Sequence, residues 1–281
     1  MGQMEAERID QIPVGQRVTL RRRLPDGAAG DVVGTVVAHD PEGVTLHTMR
    51  RGEVRVAYAE VVVHRVVRPV PWRIGAFLRR AGVAVLDLDG VLRTFDTSGE
   101  LARVESELGL DVGAVIELAF ALPEAAAMVT GRSTHAHWMA AVRARLLADA
   151  HAEEAVERLI AVWREDRGTP MGATVALVDS LVAAGTPTFV FTNGTDRVPE
   201  ELEHMGLGRL VPMLINTHDM GRAKPAPQAF ALAHAEVERR VGRVVDRAQV
   251  HFTDDRPGNV EAAREFGWQG RVFTPPAPGQ W

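Results

Sequence analysis

The chain has 281 residues, of which 46% are hydrophobic and 25% charged, with a formal net charge of −5. That is an ordinary globular balance, long enough for one large or two smaller domains, and nothing in it asks for nucleic acid as a partner. The absence of cysteine excludes disulfides, thiolate metal sites and a cysteine nucleophile. The charged opening MGQMEAERID lacks the apolar centre of a signal peptide, and no apolar run is long enough to span a bilayer. A cytoplasmic protein without a membrane partner is therefore expected.

Residues 1–80 carry 13 Lys/Arg against 9 Asp/Glu, and the rest 19 against 28. The residue pattern changes with the charge. VTLRRRL, DVVGTVVAHD, GVTLHTM and EVRVAYAEVVVHRVV are valine-rich, partly alternating runs. They are separated by turn signals at Pro25-Asp26-Gly27, Asp40-Pro41-Glu42-Gly43 and Arg51-Gly52, as in a small all-β barrel over residues 1–70. The segment resembles the SH3-like barrel that precedes the catalytic domain of some bacterial GNAT-type acetyltransferases. The resemblance rests on the opening Gly15–Val18, on Leu24-Pro25-Asp26-Gly27 and on the arm from Gly52. No acetyltransferase domain follows, so the expected role of the barrel is a protein contact or dimerisation. Arg21, Arg22 and Arg23 read as a charged, solvated edge strand, since no aromatic residues interleave with them.

Pro69, Pro71 and Trp72 mark a linker over 71–80, with a short helix from Ile74 to Arg80. Val83–Leu86 is a continuous apolar run, expected as a strand buried on both faces, and it ends in Asp87-Leu88-Asp89-Gly90. Residues 97–168 read as amphipathic helices with apolar positions three and four apart. Alternation of helix and strand then resumes over 169–281. The expected strands are Thr188–Phe191, Val211–Ile215, Gln249–Thr253 and Arg271–Phe273. The expected helices are Val175–Ala184, Pro199–Met205, one from about Pro227 to Arg240, and Gly258–Phe266. This order implies a doubly wound parallel α/β sheet over 81–96 and 169–281, interrupted by a helical insertion.

Three strand ends and one helix start bring polar groups to one crevice: Asp87 and Asp89, Thr192, Asp254 and Asp255, and Lys224. Residues i and i+2 of an extended chain face the same side, so Asp87 and Asp89 share it. Four carboxylates in one place need a cation, and an all-oxygen set suits Mg²⁺. Lys224 and the Thr192 hydroxyl suit a phosphate, with further N–H donors near Gly90 and Gly194.

These residues resemble the haloacid dehalogenase (HAD) superfamily. Asp87-Leu-Asp-Gly-Val matches its first motif, Phe191-Thr-Asn-Gly its second, Arg222-Ala-Lys-Pro-Ala-Pro its third and Phe252-Thr-Asp-Asp-Arg-Pro-Gly-Asn its fourth. The insertion is similar to that superfamily's C1-type helical cap. The resemblance implies a Mg²⁺-dependent phosphatase of small phosphorylated metabolites. Asp87 would be the nucleophile that forms an aspartyl-phosphate, and Asp89 the general acid and then base. Thr192 and Asn193 would hold the phosphoryl group together with Lys224. The metal would sit on Asp87, the carbonyl of Asp89, Asp254 and Asp255. A dehalogenase, a phosphomutase or a non-catalytic regulatory protein of the same fold are the alternatives, the dehalogenase being disfavoured by the carboxylate at Asp89. In the cap, Arg132, His135 and His137 are candidates to read the substrate, with packing and capping as the competing reading. Arg93 is expected at the site mouth or in solvent. Asn259 is expected as a helix-start residue, and His218, His234 and His251 as structural.

Overall fold

Alternation of valine with polar residues shapes the first of two units, which divide between residues 71 and 72. The computed structural model describes residues 9–24, 27–48, 51–66, 72–96, 98–149 and 151–276. The expected Pro25-Asp26 turn and the Pro69–Pro71 stretch lie outside these. In the first unit, β1 (Arg17–Arg23), β2 (Ala29–Asp40), β3 (Gly43–Thr48), β4 (Gly52–Ala57) and β5 (Val61–Val66) form an antiparallel sheet in the order β4-β3-β2-β1-β5. Every second residue points inward, so Val18, Leu20, Val36, Val44, Leu46 and Val56 make one core. Bulges between Arg21 and Arg22 and between Val36 and Ala38 bend the strands. The arginine-bearing β1 is an inner strand, not the edge strand expected from its charge. Arg21 faces Asp31 and Arg22 faces Glu60, so the charges are balanced across the sheet.

In the second unit, α1 (Arg73–Leu78) leads into β6 (Val83–Leu86), and the short β7 (Arg93–Thr94) follows the acidic loop. The helical insertion comprises α2 (Glu100–Glu107), α3 (Ala114–Ala121), α4 (Pro123–Met128), α5 (His135–Ala148) and α6 (Glu153–Glu165). It packs around its own core of Val104, Val115, Met128, Trp138, Val142 and Leu159. The chain returns through β8 (Thr169–Pro170), which pairs with β7, into α7 (Gly172–Ala183), β9 (Thr188–Thr192) and α8 (Val198–His204). Next come β10 (Leu214–Asn216), α9 (Thr217–Met220), α10 (Pro227–Val241), β11 (Val250–Asp254), α11 (Pro257–Phe266) and β12 (Gln269–Val272).

The sheet runs β10-β9-β6-β11-β12, all parallel. One apolar layer covers each face, with Leu86, Leu177, Val190 and Leu210 in one and Val85, Phe191, Phe230 and Trp268 in the other. The central strand β6 is buried at all four residues. The order reverses there, so the crevice beyond the carboxyl ends of β6, β9 and β11 is where such sheets bind ligands. No helix among the described residues is long and apolar enough to cross a membrane.

Candidate active site

The loop after β6 keeps the sheet's pairing for one more residue, since the Asp87 N–H donates to the Thr253 carbonyl at 2.9 Å. It then turns on itself. Leu88, Val91 and Leu92 are buried beneath it, and the Gly90 N–H donates to the Arg93 carbonyl at 2.8 Å. Gly90 has φ +75°, and a Cβ there would lie 2.5 Å from Asp255 Oδ2. Only glycine lets the loops after β6 and β11 approach so closely.

Lys224 reaches this crevice from the loop ahead of α10. Its ammonium donates to Asp87 Oδ1 at 2.9 Å, to Asp254 Oδ2 at 2.7 Å and to the Phe191 carbonyl at 2.8 Å, which uses all three of its N–H bonds. Burial works against its charge, but the two carboxylates outweigh that and hold the ammonium above its usual range. Burial pushes Asp87 up to about 7, opposed by Lys224. Asn193 fixes the lysine's backbone: its side-chain NH₂ donates to the Lys224 carbonyl and its oxygen accepts the Lys224 N–H, both at 2.8 Å. The side chain of Asn193 is thereby engaged with the lysine's backbone.

Asp254 ends β11 and is fully buried. It accepts from the Arg256 N–H at 2.9 Å and from Asn259 Nδ2 at 3.0 and 3.1 Å. Asn259 thus begins α11, as expected from the sequence, and also orients a site carboxylate. Asp87, Asp254 and Asp255 present oxygens within 4.8 Å of one another. Desolvation and the adjacent Asp254 charge push Asp255 up as well. The Asp89 carboxylate is not in that trio. It is paired with Arg93 through Nε and, at 3.5 Å, Nη2. Asp87, Asp89, Thr192, Asn193, Lys224 and Asp255 all line one pocket of about 330 Å³.

Two residues escaped the sequence reading. Arg93 is not solvated but buried beside the site, held between Asp89 and Glu201, with Nη1 donating to Glu201 Oε2 at 2.7 Å. Glu201 lies 108 positions away on α8, and its apolar neighbours Val198 and Leu202 were the one hint that this helix face is buried. Of the cap candidates, His135 is buried and lines a second cavity between cap and core, where its ring meets Trp138 edge to face. Burial, aided by nearby Arg197, pushes His135 down to about 4. Arg132 and His137 do not line that cavity. Arg132 donates to Thr130 Oγ1, and the His137 N–H is capped by Thr134. His218, His234 and His251 bond the backbone carbonyls of Met128, Val245 and Phe77, each a packing role.

Comparison with solved structures gives the same fold in a HAD family enzyme from Bacteroides thetaiotaomicron, in complex with magnesium and inorganic phosphate. The two share 19% identity over 69% of this chain and 93% of that one, with a TM-score of 0.50. A dehalogenase with intermediate complex is similar at 19% identity over 67% of this chain and 83% of that one, TM-score 0.50. No curated protein matches the chain. Residues 12–65 match the family model of the Rv0428c N-terminal Sm-like domain, in keeping with the all-β first unit. Residues 82–267 match that of the haloacid dehalogenase-like hydrolases. This second match spans well over half of the chain and contains the whole crevice, and the chain belongs to the haloacid dehalogenase-like hydrolase family.

Proposed function

We propose that the chain is a magnesium-dependent phosphatase that hydrolyses a small phosphomonoester through an aspartyl-phosphate on Asp87. The observation that carries this reading is one pocket lined by a lysine-paired Asp87, by Asp89 two residues on, and by Thr192. Asp87 attacks phosphorus as the bond to the leaving oxygen breaks, and Asp89 gives that oxygen a proton. Asp89 then takes a proton from the water that attacks the phosphorylated Asp87, which frees the carboxylate and releases inorganic phosphate. Lys224 favours the charged form of Asp87 against its burial. The Thr192 hydroxyl and the backbone N–H groups around Asn193 hold phosphoryl oxygens. To take up the acid's role, Asp89 has to leave its ion pair with Arg93.

The donor set fits a hard divalent cation. Asp87, Asp254 and Asp255 are all oxygen donors within 4.8 Å of one another, and Lys224 balances only one of their charges. These three, with the carbonyl of Asp89, would hold Mg²⁺, which supplies charge neutralisation for the phosphoryl oxygens when bound. A dehalogenase would leave the proton-cycling carboxylate Asp89 without a task.

The test is a panel of phosphomonoesters and 2-haloacids with purified protein. Phosphate release is expected with Mg²⁺, lost on chelation and restored by adding the ion back. Halide release without phosphate release would overturn the reading.

A further inference from the structure

We infer that the leaving group of the substrate has an apolar body that carries no negative charge, seated in the cavity between the helical cap and the core. The inference rests on the phosphatase reading and adds the class of alcohol. The cavity measures about 260 Å³, somewhat below the roughly 300–1,000 Å³ of pockets that hold drug-sized ligands, so it suits a single ring or a short chain. Asp89 lines both this cavity and the phosphate pocket, and so do Phe120 and Asn193. A leaving oxygen protonated by Asp89 therefore carries its carbon skeleton into the cavity.

Aromatic and aliphatic walls receive it. Phe120 packs on Trp138 at 5.2 Å between ring centroids, and Trp163 meets Trp138 edge to face at 5.3 Å. Phe95, Ile116 and Met128 add to the apolar lining. The Trp138 N–H is spent on the Ala119 carbonyl at 2.9 Å, so the indole offers a substrate only its rings. His135 is held neutral at ordinary pH.

The charges around the cavity argue against an anionic body. Among the described residues, Asp89, Asp96, Glu105, Asp166 and Glu201 line it, against Arg93 and Arg256. Arg93 is already committed to Asp89 and Glu201. Arg256 sits on the boundary with the phosphate pocket. The carboxylates are themselves engaged: Glu105 accepts the Gly113 and Val115 N–H groups, Asp96 the Ser98 N–H and hydroxyl, and Asp166 the Gly168 N–H. A carboxylate or second phosphate on the substrate would meet the surplus negative charge of these described lining residues, while a neutral ring or alkyl chain would bury its surface at no such cost.

The experiment compares benzyl phosphate with phosphoglycolate, two phosphate esters of primary alcohols that differ in the body, using the full chain with Mg²⁺. The expected kcat/KM favours benzyl phosphate by about tenfold or more, the range of discrimination that small apolar groups give. Phe120 is 55% exposed, so Phe120→Lys should fold, and it is expected to erase most of that preference. Equal rates, or a preference for phosphoglycolate in the wild type, would overturn the inference while leaving the phosphatase reading intact. A second readout works without turnover. Trp138 and Trp163 line the cavity, so benzylphosphonate is expected to change the tryptophan fluorescence, and 3-phosphonopropionate to bind at least about tenfold more weakly. Binding in that order with no phosphomonoester turned over would keep the cavity assignment and defeat the phosphatase reading. No binding of benzylphosphonate would overturn the cavity assignment.

Discussion

Lys224 and Arg93 are both buried cations held between two carboxylates, yet they sit in different mechanical situations. Both partners of Lys224 are shut in: the side chains of Asp87 and Asp254 are 9% and 0% exposed. Its third hydrogen bond goes to a strand carbonyl, so nothing in the group moves without losing charge-assisted hydrogen bonds in a dry place. One partner of Arg93 is equally enclosed, but the Asp89 side chain is 45% exposed, so it can exchange its ion pair for water while Arg93 keeps Glu201. The surroundings of the proposed nucleophile are therefore tightly held, and those of the proposed acid allow movement. A group that must attack along one line benefits from being fixed, whereas a group that hands over a proton and later takes one back needs freedom to turn.

Substitutions can break this contrast. The largest effect is expected from Asp87→Asn. Hydrolysis should fall below detection and no phosphoryl-protein adduct should form, as read by rapid quench and mass spectrometry. An adduct on Asp254 or Asp255 would reverse the assignment of nucleophile. Asp89→Asn should cost about a hundredfold to ten-thousandfold in kcat, the usual worth of a general acid–base. With an activated phosphate ester, an adduct on the peptide containing Asp87 is expected to accumulate.

Arg93→Met sharpens the comparison by leaving Glu201 buried with only Arg197, 3.8 Å away. A stability loss of about 3 kcal/mol by denaturant unfolding is expected, with a smaller loss of kcat than for Asp89→Asn. The smallest effect concerns His135. Burial pushes its pKa down from the ordinary 6.5 to about 4 in the folded chain, so the unfolded state binds the proton more readily. The stability this gives is complete above about pH 6.5 and is lost as the pH falls toward 4. His135→Gln should flatten that part of the stability–pH curve relative to wild type, as read by denaturant unfolding between about pH 4 and 7.

The parts of this arrangement that were legible in the sequence are those where a buried strand stops at a polar residue. Val83–Leu86 before Asp87, Thr188–Phe191 before Thr192 and Gln249–Thr253 before Asp254 announce themselves because an apolar run ends within one residue of a charge or hydroxyl. Where both neighbours are apolar, the boundary is invisible. Val211–Ile215 reads as one strand, but Gly208–Met213 is a 3₁₀ turn containing Pro212, and the strand begins only at Leu214. Proline lacks the N–H that a ladder needs. In the cap, α3 ends at Ala121 and Pro123 opens α4 after an extended Leu122. The Arg93–Glu201 pair joins α8 to the acidic loop across 108 positions, a distance no local periodicity spans. The cavity belongs to two layers at once, and its walls are ordinary core residues in each.

The two-residue pairing of β7 with β8, Arg93 opposite Pro170 and Thr94 opposite Thr169, has a bearing on the history of such a chain. The chain leaves the core and comes back at adjacent points, so to the parallel sheet the whole cap is a single loop closed at its base. The entropy of closing a flexible loop grows only with the logarithm of its length, by about 0.6 kcal/mol for each doubling. Helices there can be lengthened, shortened or exchanged with little strain on the residues that hold Asp87 and Lys224. The walls around Trp138 and Trp163 can change while the loops that carry Asp87 and Lys224 stay as they are.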